Sequence, residues 1–161
     1  MSEFLTWLQG SALGHVMRES GVWTYGIVNL IHILGVSSLF GSILVLDLRL
    51  LGLWRSAPLY FIAKPTVPIA ATGFTVAALS GICLISTNAT EYLGNPFLLI
   101  KFPAIALGVL NVLALNFFEG WKDRGRDDPS PASERPLRVA GGISLACWLT
   151  AVAAGRMIGY W

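Results

Sequence analysis

The sequence predicts an all-α integral membrane protein, a four-helix bundle with an N-terminal interfacial amphipathic helix. Three observations predict it. Of 161 residues, 55% are hydrophobic and only 12% charged, with a mean hydropathy of +0.66, which is too apolar for an ordinary soluble domain. Four apolar stretches each reach the roughly 20 residues that cross a hydrocarbon core. Lys and Arg gather in two of the loops between them and are absent from the third.

The first 20 residues lack a basic n-region and hold Glu3, His15, Arg18 and Glu19, so the first span is expected to serve as its own insertion signal. Over residues 2–19, Leu5, Leu8, Ala12 and Val16 recur at helical spacing while Gln9, Arg18 and Glu19 fall elsewhere. This pattern predicts one interfacial helix with His15 beside its apolar face. Ser20-Gly21 breaks it, and Trp23 and Tyr25 anchor the entry to the membrane. The spans then run from Val22 to Leu46, Thr66 to Thr87, Phe97 to Phe118 and Val139 to Tyr160, one transmembrane domain over 1–161. Between the first two, the stretch 47–54 is expected to continue as a helix along the membrane surface, and Pro58, Pro65 and Pro68 to punctuate the return. Asn88 to Pro96 is a short turn, and Gly120 to Pro136, with three prolines and mixed charges, reads as a solvated, mobile loop. Small residues, among them Gly35, Gly73, Ala77, Gly81, Gly141 and Gly142, favour close backbone contact between helices, the usual basis of association in lipid.

The loop after span one carries Arg49, Arg55 and Lys64, and the loop after span three carries Lys122, Arg124, Arg126, Arg135 and Arg138. The positive-inside rule makes these loops cytoplasmic and both termini periplasmic, in an inner membrane if the source is bacterial. The net charge of +2 is accounted for by these loops and gives no reason to expect a nucleic-acid partner. Cys83 and Cys147 lie within spans without C-x-x-C spacing and read as packing residues.

The residues that carry chemistry are those expensive in hydrocarbon. His32 lies roughly 15 Å from the outer end of its span, and Lys101 and Arg156 roughly 6 to 8 Å from theirs. A neutral imidazole can ligate haem iron through one nitrogen, while the other N–H needs an acceptor such as a backbone carbonyl or Asn29 one turn earlier. Lys101 and Arg156 stand at the depth where haem propionates would emerge. His15 could supply a second axial ligand, with Met17 and Met157 as sulfur alternatives. The plain alternatives are that His32 only bridges helices, that Lys101 and Arg156 snorkel to the interface, and that His15 is a surface residue. Asp47 and Arg49 read as a helix terminus, paired with each other or with the Arg55 loop. There is no nucleophile and base arrangement, no H-E-x-x-H, no phosphate-cradling glycine loop and no paired intramembrane carboxylate.

The runs Ile31-His32-Ile33-Leu34-Gly35, Phe40-Gly41-Ser42, Asp47-Leu48-Arg49-Leu50-Leu51-Gly52 and Asn95-Pro96-Phe97-Leu98-Leu99-Ile100-Lys101-Phe102, with Gly108 and Asn111, resemble a family of uncharacterised four-helix bacterial membrane proteins. More distantly, a histidine in the first span and a lysine opening the third are similar to copper-resistance D membrane proteins and to oxygen-independent protoporphyrinogen oxidase. The resemblance implies that His32 and Lys101 are functional positions. At the end of span three, where those relatives carry further histidines, this chain has Asn116.

The function expected is that of a membrane-embedded b-type haem protein for electron transfer or redox sensing near the periplasmic face. His32 and His15 are the candidate metal ligands, and Lys101, Arg156 and Asn29 complete the cofactor site. Its partners would be the lipid bilayer, a redox protein or quinone, and a further copy of itself. The alternative is a non-redox membrane subunit or binding protein that takes a lipid, a partner or a copper ion and holds no haem.

Overall fold

The structure is a computed structural model and describes residues 2–125 and 131–161. It is helical, with no strand among the described residues: α1 (Ser2–Gly10), α2 (Ala12–Glu19), α3 (Gly21–Leu51), α4 (Leu59–Thr87), α5 (Pro96–Leu115), α6 (Glu119–Lys122) and α7 (Pro131–Met157), with 3-10 turns at Ala89–Tyr92 and Ile158–Tyr160. Four helices, Gly21–Leu51, Leu59–Thr87, Pro96–Leu115 and Ser133–Tyr160, are long and apolar enough to cross a membrane. Large apolar side chains such as Ile27, Leu30 and Leu34 stand exposed along α3, as lipid-facing residues do and as the surface of a soluble monomer does not. The chain divides into two compact units, Met1–Leu39 with Ala71–Asn95 and Phe40–Ala70 with Pro96–Trp161.

In the first unit the expected single helix over 2–19 is broken at Ser11. The Ser11 backbone is extended and its hydroxyl accepts from Gly14 N–H at 3.3 Å, so Ser11 ends one helix and caps the next. The break rotates the buried face: Leu5, Leu8, Gly14 and Met17 are buried, while Ala12 and Val16 are exposed. Gly14 lets α2 sit against the end of α4, since a Cβ there would lie 2.9 Å from Ser86 O. Polar groups fix the contact. Thr90 donates its N–H (2.7 Å) and its hydroxyl (2.8 Å) to Gln9 Oε1, and Arg18 Nη1 donates to Thr87 O at 3.1 Å, supplying an orphan carbonyl at the end of α4 with a cationic donor. Gly21, at φ +80°, makes the turn into α3.

Helices α3 and α4 meet in this unit backbone to backbone. A Cβ on Gly35 would lie 2.8 Å from Ala77 N, and one on Gly73 would lie 2.5 Å from Leu39 N and 2.8 Å from Gly35 O. Only glycine permits this approach, and dispersion between the closely spaced chains is what holds such a pair in lipid.

The second unit has a core of Leu50, Leu59, Ala63, Leu115, Trp121, Leu137 and Ala140, with Leu46 and Phe118 against it. Gly141 admits α3, as its Cβ would lie 2.9 Å from Leu50 Cβ and 3.2 Å from Asp47 O. Asn111 of α5 donates to Ala140 O of α7 at 2.9 Å, and Trp148 of α7 lies over Gly108 of α5.

Three expected boundaries are corrected. Helix α3 does not continue along the surface past residue 51: Gly52 takes φ +109°, and Gly52 N–H and Leu53 N–H return to Arg49 O and Leu48 O, a left-handed helix stop. Helix α4 begins at Leu59 rather than Thr66 and runs through Pro65 and Pro68. Each proline removes one rung, and within that stretch the Thr66 hydroxyl bonds back to Ile62 O at 2.7 Å. The stretch read as a mobile loop over 120–136 holds α6 and the opening of α7, with Pro136 inside the helix. Residues 126–130 of that stretch lie outside the described residues.

Candidate functional site

His32 is half-buried on α3, and its Nδ1 lies 2.9 Å from Ala77 O and 3.1 Å from Ser80 Oγ, both on α4. A carbonyl oxygen only accepts, so Nδ1 carries the proton and donates to it. The Ser80 hydroxyl gives its own proton to Val76 O, which leaves its oxygen to accept a second branch from the same N–H. In the neutral ring so held, the basic nitrogen is Nε2. Gly81 makes room for the ring, since a Cβ there would come within 3.1 Å of His32 Cε1 and 3.5 Å of Nδ1. Gly81→Ala is therefore expected to push the imidazole by a few tenths of an ångström and to cost about 1 kcal/mol. Thermal unfolding in detergent checks this, with Gly10→Ala as a control, because a Cβ at Gly10 meets nothing within 4 Å.

The other candidates are placed as follows. His15 is exposed on α2, with Nδ1 3.8 Å from Glu19 Oε1 one turn on, and Met17 is buried under the same helix. Asn29 is exposed on α3, and the acceptors found for His32 Nδ1 are Ala77 and Ser80. Lys101 and Arg156 lie at the same end of the α5 and α7 pair in the second unit: the Lys101 chain passes over Gly155, whose Cβ would lie 3.3 Å from Nζ. Arg156 donates to the Tyr160 hydroxyl and lies over its ring, 4.6 Å from the centroid. The two cations thus mark one end of the α5 and α7 pair, an arrangement suited to headgroups or other anions at an interface. Among the described residues no three His, Cys, Asp or Glu side chains gather as a metal site.

Sequence reasoning passed over two features. Ser80 and Gly81 cradle the histidine, and their signal was the recurrence of small residues at Gly73, Ala77 and Gly81, four apart on one helix face. The other is the burial of Asp47, read from sequence only as a helix terminus: it is 3% exposed, and its Oδ2 has no hydrogen-bond partner among the described residues. The expected pairing of Asp47 with Arg49 does not form, since residues two apart on a helix point to different sides. Arg49 instead donates Nε–H to Ala57 O at 2.8 Å.

Helices of this length and composition, with polar side chains joining them inside the apolar stretches, define a multi-pass all-α membrane protein. The chain belongs to DUF6644, a family of unknown function, whose model matches residues 4–161. No curated protein and no solved structure matches the chain. The resemblance to copper-resistance D proteins and protoporphyrinogen oxidase therefore rests on the positions of His32 and Lys101 alone.

Proposed function

We propose that this protein is a membrane-embedded b-type haem protein for electron transfer or redox sensing, with His32 Nε2 as an axial ligand. The observation that supports it is the hydrogen bond from His32 Nδ1–H to Ala77 O, with Ser80 Oγ as the second acceptor. Metal-ligating histidines characteristically donate their other N–H to a carbonyl or carboxylate, which fixes the ring and the tautomer and raises the basicity of the ligating nitrogen. The donor chemistry of His32 fits an iron porphyrin, which would supply a one-electron couple whose potential follows ligand identity and burial. In the same proposal the basic loops are cytoplasmic and both termini periplasmic, in a bacterial inner membrane.

The test is an absorption spectrum of the full-length protein purified from haem-replete cells. A Soret band is expected, and His32→Ala is expected to abolish it. If His15 is the second ligand, His15→Ala converts a six-coordinate spectrum to a five-coordinate one. A colourless wild type, or a band that His32→Ala leaves unchanged, would refute the proposal.

A second reading is favoured by the same pair of bonds, since they also join α3 to α4. In it the chain is a non-redox membrane subunit and His32 is a polar bridge, worth about 0.6 to 2 kcal/mol. A colourless protein that His32→Ala destabilises by that amount would support this reading.

A further inference from the structure

Lys101 sits on the face of α5 that packs against α7. Ala104, Gly108 and Leu115 are buried on that face, Asn111 bonds from it to Ala140 O, and Lys101 precedes Ala104 and Gly108 at helical spacing. Its chain runs across Gly155 of α7, where a Cβ would lie 3.8 Å from Cδ, 3.5 Å from Cε and 3.3 Å from Nζ. Both helices belong to the second unit. We propose that Lys101, with Arg156 as a second cation, binds the phosphate of an anionic lipid at this end of the α5 and α7 pair. The proposal leaves the haem reading of His32 untouched and gives the two cations a lipid in place of the propionates.

The missing counterion is the first argument. Ionisable side chains within spans face the bundle and pair there. Lys101 faces its neighbouring helix and is half-buried, yet among the described residues it has neither an ion pair nor a hydrogen bond. Arg156 turns to the hydroxyl and ring of Tyr160, and among the described residues no carboxylate pairs with it. Asp127 and Asp128 precede Pro131, which is roughly 36 Å from Gly155 along α7 by helical rise, so they join the chain at the opposite end of that helix. An ammonium group held in this way calls for an anion from outside the chain.

Level is the second argument. Lys101 lies roughly 7.5 Å inside the start of α5 by helical rise. Side chains on a helix lean toward its N-terminus, which here is the near end, so the lysine reaches outward while its methylenes stay against Gly155. Tyr160 and Trp161 are exposed at the same end, and aromatic residues so placed mark the headgroup level. The ammonium group therefore comes up at the depth of lipid phosphates.

The surroundings select a lipid over a free anion. Leu99, Ile100 and Phe102 beside Lys101 are exposed on a helix apolar enough to cross a membrane. A lipid phosphate brings acyl chains to lie among them, whereas inorganic phosphate gains nothing from them. Basic sites between spanning helices hold anionic headgroups in this manner. A headgroup with net negative charge is preferred, because the choline of phosphatidylcholine brings a cation of its own.

The experiment uses delipidated full-length protein and native mass spectrometry, with phosphatidylglycerol, phosphatidylcholine and inorganic phosphate as probes. Phosphatidylglycerol is expected to bind more tightly than phosphatidylcholine. K101Q and R156Q are each expected to lower its affinity about fivefold, and the double variant about 25-fold. K64Q removes an exposed lysine from the first turns of α4 and is expected to leave that affinity unchanged. R156Q, on an exposed side chain, decides the matter alone if K101Q does not fold. Equal binding of the two lipids by the wild type, or a loss in K64Q as large as in K101Q, overturns the proposal. Displacement of phosphatidylglycerol by inorganic phosphate at equal concentration overturns the lipid assignment. A Soret band that shifts in K101Q while lipid binding stays as it was also overturns it, and returns the lysine to a propionate.

Discussion

Valine at Gly73 is expected to lower stability by about 3 kcal/mol, the upper end of the usual cost of overpacking, and to release His32 from α4. A Cβ at residue 73 would lie 2.5 Å from Leu39 N and 2.8 Å from Gly35 O. Both are backbone atoms, so no rotamer change relieves the clash and the two helices must separate. The next turn of α4 carries Ala77, whose amide is already at the limit of approach to Gly35 and whose carbonyl holds His32. Separation therefore lengthens the bond to Nδ1 as well. Chemical unfolding in detergent, followed by circular dichroism, measures the first effect. Gly26→Ala serves as control, because a Cβ there meets open space and alanine favours the helix by up to about 1 kcal/mol. Equal midpoints for Gly73→Val and Gly26→Ala would show that α3 and α4 do not pack through these glycines.

The spans were legible because apolar stretches of that length have few other uses, whereas their ends were read wrongly where proline was taken as a stop. Pro65 and Pro136, placed outside the spans by the sequence, lie inside helices; what ends α3 is Gly52 in the left-handed region. The break at Ser11 went unseen because Leu5, Leu8, Ala12 and Val16 keep perfect register across it. A capping serine changes the course of the chain without disturbing the period. His32 could be singled out by its cost in hydrocarbon, and its acceptor could be named only as a class. A backbone carbonyl such as that of Ala77 carries no sequence signature. The ion pairs of Glu134 were visible only as two basic loops, because the fold alone brings Glu134 between Arg55 and Arg138.

Trp148→Ala is expected to cost on the order of 3 kcal/mol, mostly as a cavity. Trp148 is 4% exposed on α7, and its indole covers Gly108 of α5 so closely that a Cβ there would lie 3.1 Å from Cε2 and 3.3 Å from Cζ2. In a soluble protein part of the loss would come from returning apolar surface to water. In a bilayer the unfolded reference still has lipid around the side chain, so the loss is chiefly the contacts that no neighbour replaces. The same reasoning fixes the sign of a second change. Gly108→Val alone should destabilise, because the added methyl groups meet a rigid indole. In the Trp148→Ala background it should instead stabilise, because the methyl groups then enter the space the indole left. A double-mutant cycle in detergent reads this as a coupling between the two sites of at least about 1 kcal/mol. Additive effects would mean that α5 and α7 are held by Asn111 and other contacts, with the tryptophan merely lying beside them.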